Sequence, residues 1–160
     1  RTPMRLQYSE IPMRHLTALT TAALLTVSST AAAGTKAKAG HSGQWVITWK
    51  SCEVTENPTP TPSALLQGML CNPPSKTSSG AVTVSDSATK ISLSQEFVPQ
   101  ELTWSTSDEA YKGSQTVDAI TVHSVVTFDT STTGLIVDLI EMNVAGDAIK
   151  FTTEYTVRIE

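Results

Sequence analysis

Charge is scarce in this chain. Asp, Glu, Lys and Arg make up only 16 % of its 160 residues, and no basic stripe with interleaved aromatics occurs. Nucleic-acid binding draws most of its affinity from phosphate neutralisation by Lys and Arg, so no nucleic-acid partner is expected. Histidine appears three times and cysteine twice. A Gly-x-Ser-x-Gly elbow, a His-Glu-x-x-His helix and a phosphate-cradling glycine loop are all missing, which removes the common signatures of hydrolases, metalloproteases and nucleotide-binding enzymes. No cofactor is expected, and the chain does not read as an enzyme. Thr, Ser and Val are plentiful instead. β-Branched side chains are restricted about χ1 and suit pleated surfaces better than helices.

The N-terminal part reads as export machinery. Residues 1–12 show no periodicity and form an upstream segment of unclear status. Met13 opens a signal peptide over 13–33: Arg14 and His15 give a polar start, Leu16 to Val27 is apolar, and Ala31-Ala32-Ala33 offers small residues for cleavage before Gly34. Twelve apolar residues are too few to cross a bilayer as a helix, which takes about 20. No membrane anchor is expected after cleavage, and the protein is expected to be secreted or periplasmic. Cleavage removes three basic residues (Arg1, Arg5 and Arg14) and one acidic residue (Glu10), taking the net charge from −4 to −6. Residues 34–42, with Gly, Ala, Lys and Ser, read as a flexible leader.

A single β domain spans 43–160. Residues 43–50 alternate, with Trp45, Ile47 and Trp49 on one face, the period-2 pattern of a half-buried strand. Residues 51–80 interrupt the pattern. The Asn57 to Pro62 stretch holds three prolines, each without a backbone donor, and should run extended over the surface. Ser63 is placed to cap a short helix over 64–70. Cys52 and Cys71 flank this insertion, and in an exported chain an even cysteine count favours a disulfide pinning it.

From Ala81 onward strand follows strand: 81–86, 89–98, 101–106, a short strand at Ala110 and Tyr111 ended by Gly113, then 116–130, 134–144 and 148–160. Ala145-Gly146-Asp147 is a hairpin signal. About eight strands with short antiparallel connections imply an all-β fold, a barrel with a long, disulfide-pinned first loop or else a β-sandwich.

A Gly-x-Trp opening the first strand (Gly43-Gln44-Trp45), a long capped loop and an antiparallel meander resemble the calycin barrels, the lipocalins and fatty-acid-binding proteins. Arg158 in the last strand resembles the late Arg of that superfamily. The resemblance implies a barrel that binds a small apolar molecule in its lumen, with Arg158 as a candidate contact for a ligand carboxylate. By strand parity Arg158 and Tyr155 fall on opposite faces.

The aromatics are the other candidate ligand contacts. Trp45, Trp49, Phe97, Trp104, Phe128 and Tyr155 lie on the more apolar face of their strands. In a barrel some would line a cavity; in a sandwich all would be core. His41 falls in the leader and His123 on a polar strand face, and neither has a catalytic or metal-binding motif around it. Asp138 and Glu141 interrupt an apolar strand and are read as facing solvent or a partner. The expected function is an exported, non-enzymatic barrel binding an apolar ligand, with the insertion at 51–80 as a lid. The alternative is a secreted or envelope sandwich that binds a protein or glycan; no particular protein partner is indicated.

Overall fold

The computed structural model describes residues 34–160 except Pro74, Glu96 and Ala145; the expected upstream segment and signal peptide at 1–33 lie outside the described residues. Eight strands form: β1 (Ser42–Glu56), β2 (Thr77–Val84), β3 (Lys90–Leu93), β4 (Glu101–Ser105), β5 (Ala110–Val117), β6 (Ile120–Phe128), β7 (Thr133–Val144) and β8 (Asp147–Ile159). One helix, α1 (Ser63–Leu70), follows β1. Each strand pairs antiparallel with the next, and β1 pairs back to β8, closing the barrel. The sandwich alternative is thereby ruled out.

Several strand boundaries differ from the alternation in the sequence. The strand expected over 89–98 ends at Leu93, and Phe97 and Val98 belong to the connection that follows it. The stretch expected as one strand over 116–130 is a hairpin. Val117 pairs with Ile120, and Asp118 turns the chain with φ +54°, a conformation that Asp tolerates better than most residues. Gly113 does not end β5, which runs on to Val117. β1 is also longer than its alternation suggests. The register shifts between Trp49 and Ser51, so Cys52 and Val54 rejoin the inward face that Trp45, Ile47 and Trp49 occupy.

The closed ring separates two chemistries. Inward side chains are mostly apolar, and Trp45, Tyr111, Phe128, Ile91, Leu102, Val82, Val84 and Val126 are almost wholly buried. Their rings meet edge to face, Trp45 to Phe128 at 6.4 Å, Phe128 to Tyr111 at 5.8 Å and Tyr111 to Trp104 at 5.0 Å between centroids. Such pairs add about 0.5–1.5 kcal/mol each beyond area burial. Outside, exposed ion pairs link neighbouring strands: Lys50 with Glu154 at 3.4 Å, Lys90 with Glu101 at 3.0 Å and Lys150 with Glu56 at 2.8 Å.

Residues 34–41 are not the free leader their composition suggests. They lie across the end of the barrel where β1 begins. Thr35 bridges to Phe128, the Lys38 amide donates to Ser131 O, and the Gly40 amide to Ser85 O. Ala37 is buried, and its amide donates to the Tyr111 hydroxyl at 3.1 Å, which donates in turn to Ala88 O at 2.8 Å. The Lys36 ammonium stands 5.4 Å from the Trp104 ring.

The insertion after β1 is pinned as expected, by a Cys52–Cys71 disulfide with Cα atoms 5.4 Å apart. Its helix is capped differently. Ser63 lies inside α1, and the Pro62 carbonyl accepts the Leu65 and Leu66 amides. Asn57 folds the preceding loop, accepting from the Thr59 amide at 3.1 Å and donating to Thr61 O at 2.6 Å.

Two measurements check this account. Tyr111→Phe should strand the Ala37 amide and the Ala88 carbonyl. Chemical unfolding should show a loss of about 1–3 kcal/mol, with faster amide exchange across 35–40; unchanged exchange there would contradict the plug. Replacing both Cys52 and Cys71 by Ala should cost about 3 kcal/mol by loop closure while leaving the strand content in circular dichroism intact.

Candidate functional site

Among the described side chains, strand parity puts one carboxyl, that of Asp138, inside the barrel. On β7 the inward positions run Ile136, Asp138, Ile140, since Ile136 pairs with the inward Val126 of β6. Asp138 pairs with Ser124 on β6 and with Thr153 on β8. Ser124 in turn pairs with Gly113, and Thr153 with Cys52. A belt of small or polar residues therefore circles this level of an otherwise apolar interior.

The Ser124 hydroxyl donates to Asp138 Oδ1 at 2.5 Å. Burial nevertheless pushes the Asp138 carboxyl up to about 6, because desolvation outweighs the opposing hydrogen bond. Burial likewise raises the Tyr155 phenol above its ordinary value, and the nearby charge of Asp138 adds to that. The Thr153 hydroxyl lies close enough to Tyr155 to pull the other way, yet its oxygen is buried without a hydrogen bond of normal geometry. Ser94 Oγ is buried in the same condition.

Asp138 and Ser124 open onto a cavity of about 30 Å³. Its floor and near wall are Trp45, Ile47, Val126 and Ile136; Leu93, Phe97, Val98, Pro99 and Leu102 complete it. One water needs at least about 10–15 Å³ of such space, so the cavity has room for two or three. Its far side is formed by the β3–β4 connection, 94–100, which folds inward. Two glycines make room for this segment. A Cβ on Gly80 would stand 2.5 Å from Phe97 Cε2, and one on Gly113 would stand 2.8 Å from Pro99 Cγ. The Phe97 ring meets Trp45 edge to face at 6.5 Å.

The six expected aromatics all point inward but do not make one site. Trp45 and Phe97 line the cavity. Phe128 and Trp104 belong to the packed end of the barrel with Tyr111. Trp49 and Tyr155, paired across β1 and β8, sit half-buried one step beyond Asp138. Arg158 lies outside, 62 % exposed and ion-paired with Glu160, and takes no part in the interior. His41 Nε2 sits 3.1 Å from Glu160 O, and His123 is exposed on the outer face of β6. Among the described residues, the insertion at 51–80 expected as a lid contributes nothing to the cavity wall; Phe97, Val98 and Pro99 stand there instead. Asp138 does not face solvent or a partner as read from the sequence, whereas Glu141 faces outward, 3.8 Å from Lys150. Asp138 shares parity with Ile136, Ile140 and Met142, and its register against Ser124 and Thr153 shows that this face is the inward one. No protein-family model, curated protein or solved structure matches the chain.

The sign of the Asp138 shift gives a test. Folded Asp138 holds its proton up to about pH 6, against 3.8 ordinarily. Folding therefore takes up a proton between these values. The stabilisation is complete below about pH 4 and is lost as pH rises to about 6, a change of about 3 kcal/mol at 1.36 kcal/mol per unit. The exposed Asp108, lowered to about 2 by hydrogen bonds from Ser105, Lys112 and Ser107, acts at lower pH and is common to parent and variant. In urea unfolding from pH 4 to 8, Asp138→Asn should remove this slope and exceed the parent in stability by about 1–3 kcal/mol at pH 7.5. Parallel stability curves for the two proteins would refute the inward, desolvated carboxyl.

Proposed function

We propose that this protein is an exported, non-enzymatic barrel that takes a small, largely apolar molecule into its interior, as its resemblance to the calycins implies. The observation that carries this reading is the apolar cavity between Trp45 and the inward segment 94–100. Drug-sized ligand sites occupy about 300–1,000 Å³, far more than the 30 Å³ left here. A ligand must therefore displace Phe97 and Val98, and segment 94–100 serves as the gate. The gate is a connection rather than a strand: its ends are tied to the wall, Ser94 N donating to Ala81 O at 3.0 Å and Gln100 N to Gln115 Oε1 at 2.9 Å, while Phe97 and Pro99 between them meet the wall by side-chain packing over Gly80 and Gly113. The Cys52–Cys71 disulfide supports a secreted or periplasmic location, since such bonds persist in oxidising compartments. The residues proposed to contact the ligand are Trp45, Phe97, Trp49 and Tyr155.

A second reading, a protein-interaction module, is favoured by α1, where Leu65 is 56 % and Met69 69 % exposed. Single exposed apolar side chains are ordinary on monomers, which leaves the interior as the stronger site.

Titration with the uncharged fluorophore N-phenyl-1-naphthylamine tests the binding reading. Saturable, one-to-one enhancement is expected, tightened about tenfold, a gain of about 1.4 kcal/mol, in Phe97→Ala, whose gate leaves more room. Absence of saturable binding in both proteins would sink the proposal.

A further inference from the structure

We infer that the interior is selective for an apolar molecule carrying a cationic amine head, with Asp138 as the counter-ion that holds it. This inference rests on the binding reading above and names the ligand's chemistry.

The argument starts from what surrounds the carboxyl. Among the described residues the ion pairs lie on the outside of the barrel, and none involves Asp138. Ser124 satisfies Oδ1 with one hydrogen bond. On the neighbouring strand the Thr153 hydroxyl is buried without a partner. A carboxylate and an unpaired hydroxyl side by side in an apolar wall are a costly arrangement for an empty barrel. Asp138, which borders the cavity beside Ser124, suits a primary ammonium, which brings three N–H donors and one positive charge to the carboxylate.

Size and exclusion point the same way. A cavity of about 30 Å³ fits a head group of a few heavy atoms and no tail. The tail would leave past Phe97 and Val98 or toward Trp49 and Tyr155, all apolar or aromatic surfaces. An anionic head finds nothing to receive it. Arg158 is exposed on the outside of β8, and a carboxylate inside would meet the like charge of Asp138.

The pairing is also pH-dependent. Asp138 ionises near pH 6, while an alkylamine stays protonated well above neutrality. The groups facing Asp138 are Ser124 on β6, Thr153 and Tyr155 on β8, and Val98 and Pro99 in the cavity wall. Of these only Tyr155 titrates, and burial holds its phenol above 10, outside this window.

The experiment is competition for bound N-phenyl-1-naphthylamine by octylamine, 1-octanol and octanoate, which share a chain and differ in the head. At pH 7.5 octylamine should displace the probe at a concentration at least about tenfold below that of octanol, with octanoate weakest, as expected for a charge-assisted contact. At pH 5 the gap between amine and alcohol should close. In Asp138→Asn the gap should be absent at both pH values while the probe still binds. If the probe binds but amine and alcohol compete equally at pH 7.5, or Asp138→Asn keeps the preference, the amine assignment is overturned and the binding barrel stands. If the probe binds neither protein, the binding reading fails and the assignment falls with it.

Discussion

The structure depends on β1 serving two neighbours at once. Its residues 42–48 pair with β2, and 45–56 pair with β8. That double pairing closes the sheet into a ring. It also couples the faces. Side chains alternate with a period of two, so once Trp45 points inward the registers carry that choice around the ring. Trp49 pairs with Tyr155, and Tyr155 pairs with Ile136. Asp138, two positions on, then has no outward alternative. A one-residue slip would free the carboxyl, but it would also turn Ile136 and Ile140 out to water.

The two ends of the barrel are closed by different physics. At the end where β1 begins, the chain spends backbone hydrogen bonds. The Ala37 amide, the Tyr111 hydroxyl and the Ala88 carbonyl form a buried relay under the edge-to-face rings. Each of its members would be orphaned by loss of another, which makes that end stiff. At the other end, the β3–β4 connection is hydrogen-bonded at its ends, Ser94 N to Ala81 O and Gln100 N to Gln115 Oε1, and packed by contact between them. Phe97 rests over Gly80 and against Trp45, and Pro99 over Gly113. Contacts of this kind can be traded for those of an incoming apolar molecule at small net cost, whereas a buried hydrogen-bond relay cannot. The proposed gate lies at this end, where Phe97 and Pro99 meet the wall through side-chain contacts.

Much of the fold was legible because alternation is a strong signal in strands with one wet face. Residues 148–160 and 43–50 alternate cleanly, and the strand count of eight follows from them and their turns. The errors fall where that signal weakens. The hairpin inside 116–130 turns on Asp118 and Ala119, with no Gly or Pro to mark it. The fixed course of 34–41 comes from partners far away in sequence, Tyr111, Ser85 and Ser131, which no local pattern reveals. β7 is apolar on both faces, so parity alone could not say which side Asp138 takes. Its register against Ser124 and Thr153 decides that. Phe97 was found as an aromatic on an apolar face. Its role in the wall of the cavity depends on two glycines, in β2 and β5, that make room for the loop.

Asp138 breaks the local rule that every other inward residue of β7 obeys. An aliphatic residue there would remove a desolvation cost large enough to hold a carboxyl near 6. It would also remove the reason for Ser124 beneath it and leave the Thr153 hydroxyl no worse than it is. Among the described residues this carboxyl pairs with no cation, and its one side-chain hydrogen bond is from Ser124 on β6. The charges that do serve the fold lie outside, as Lys–Glu pairs across neighbouring strands. A costly group that borders a cavity is a candidate functional group, and the proposed amine head would supply the interaction that Asp138 lacks. Arg158, the residue the superfamily resemblance favoured, fails the same test from the other side. It is exposed and already paired with Glu160, and nothing inside the barrel is missing its charge.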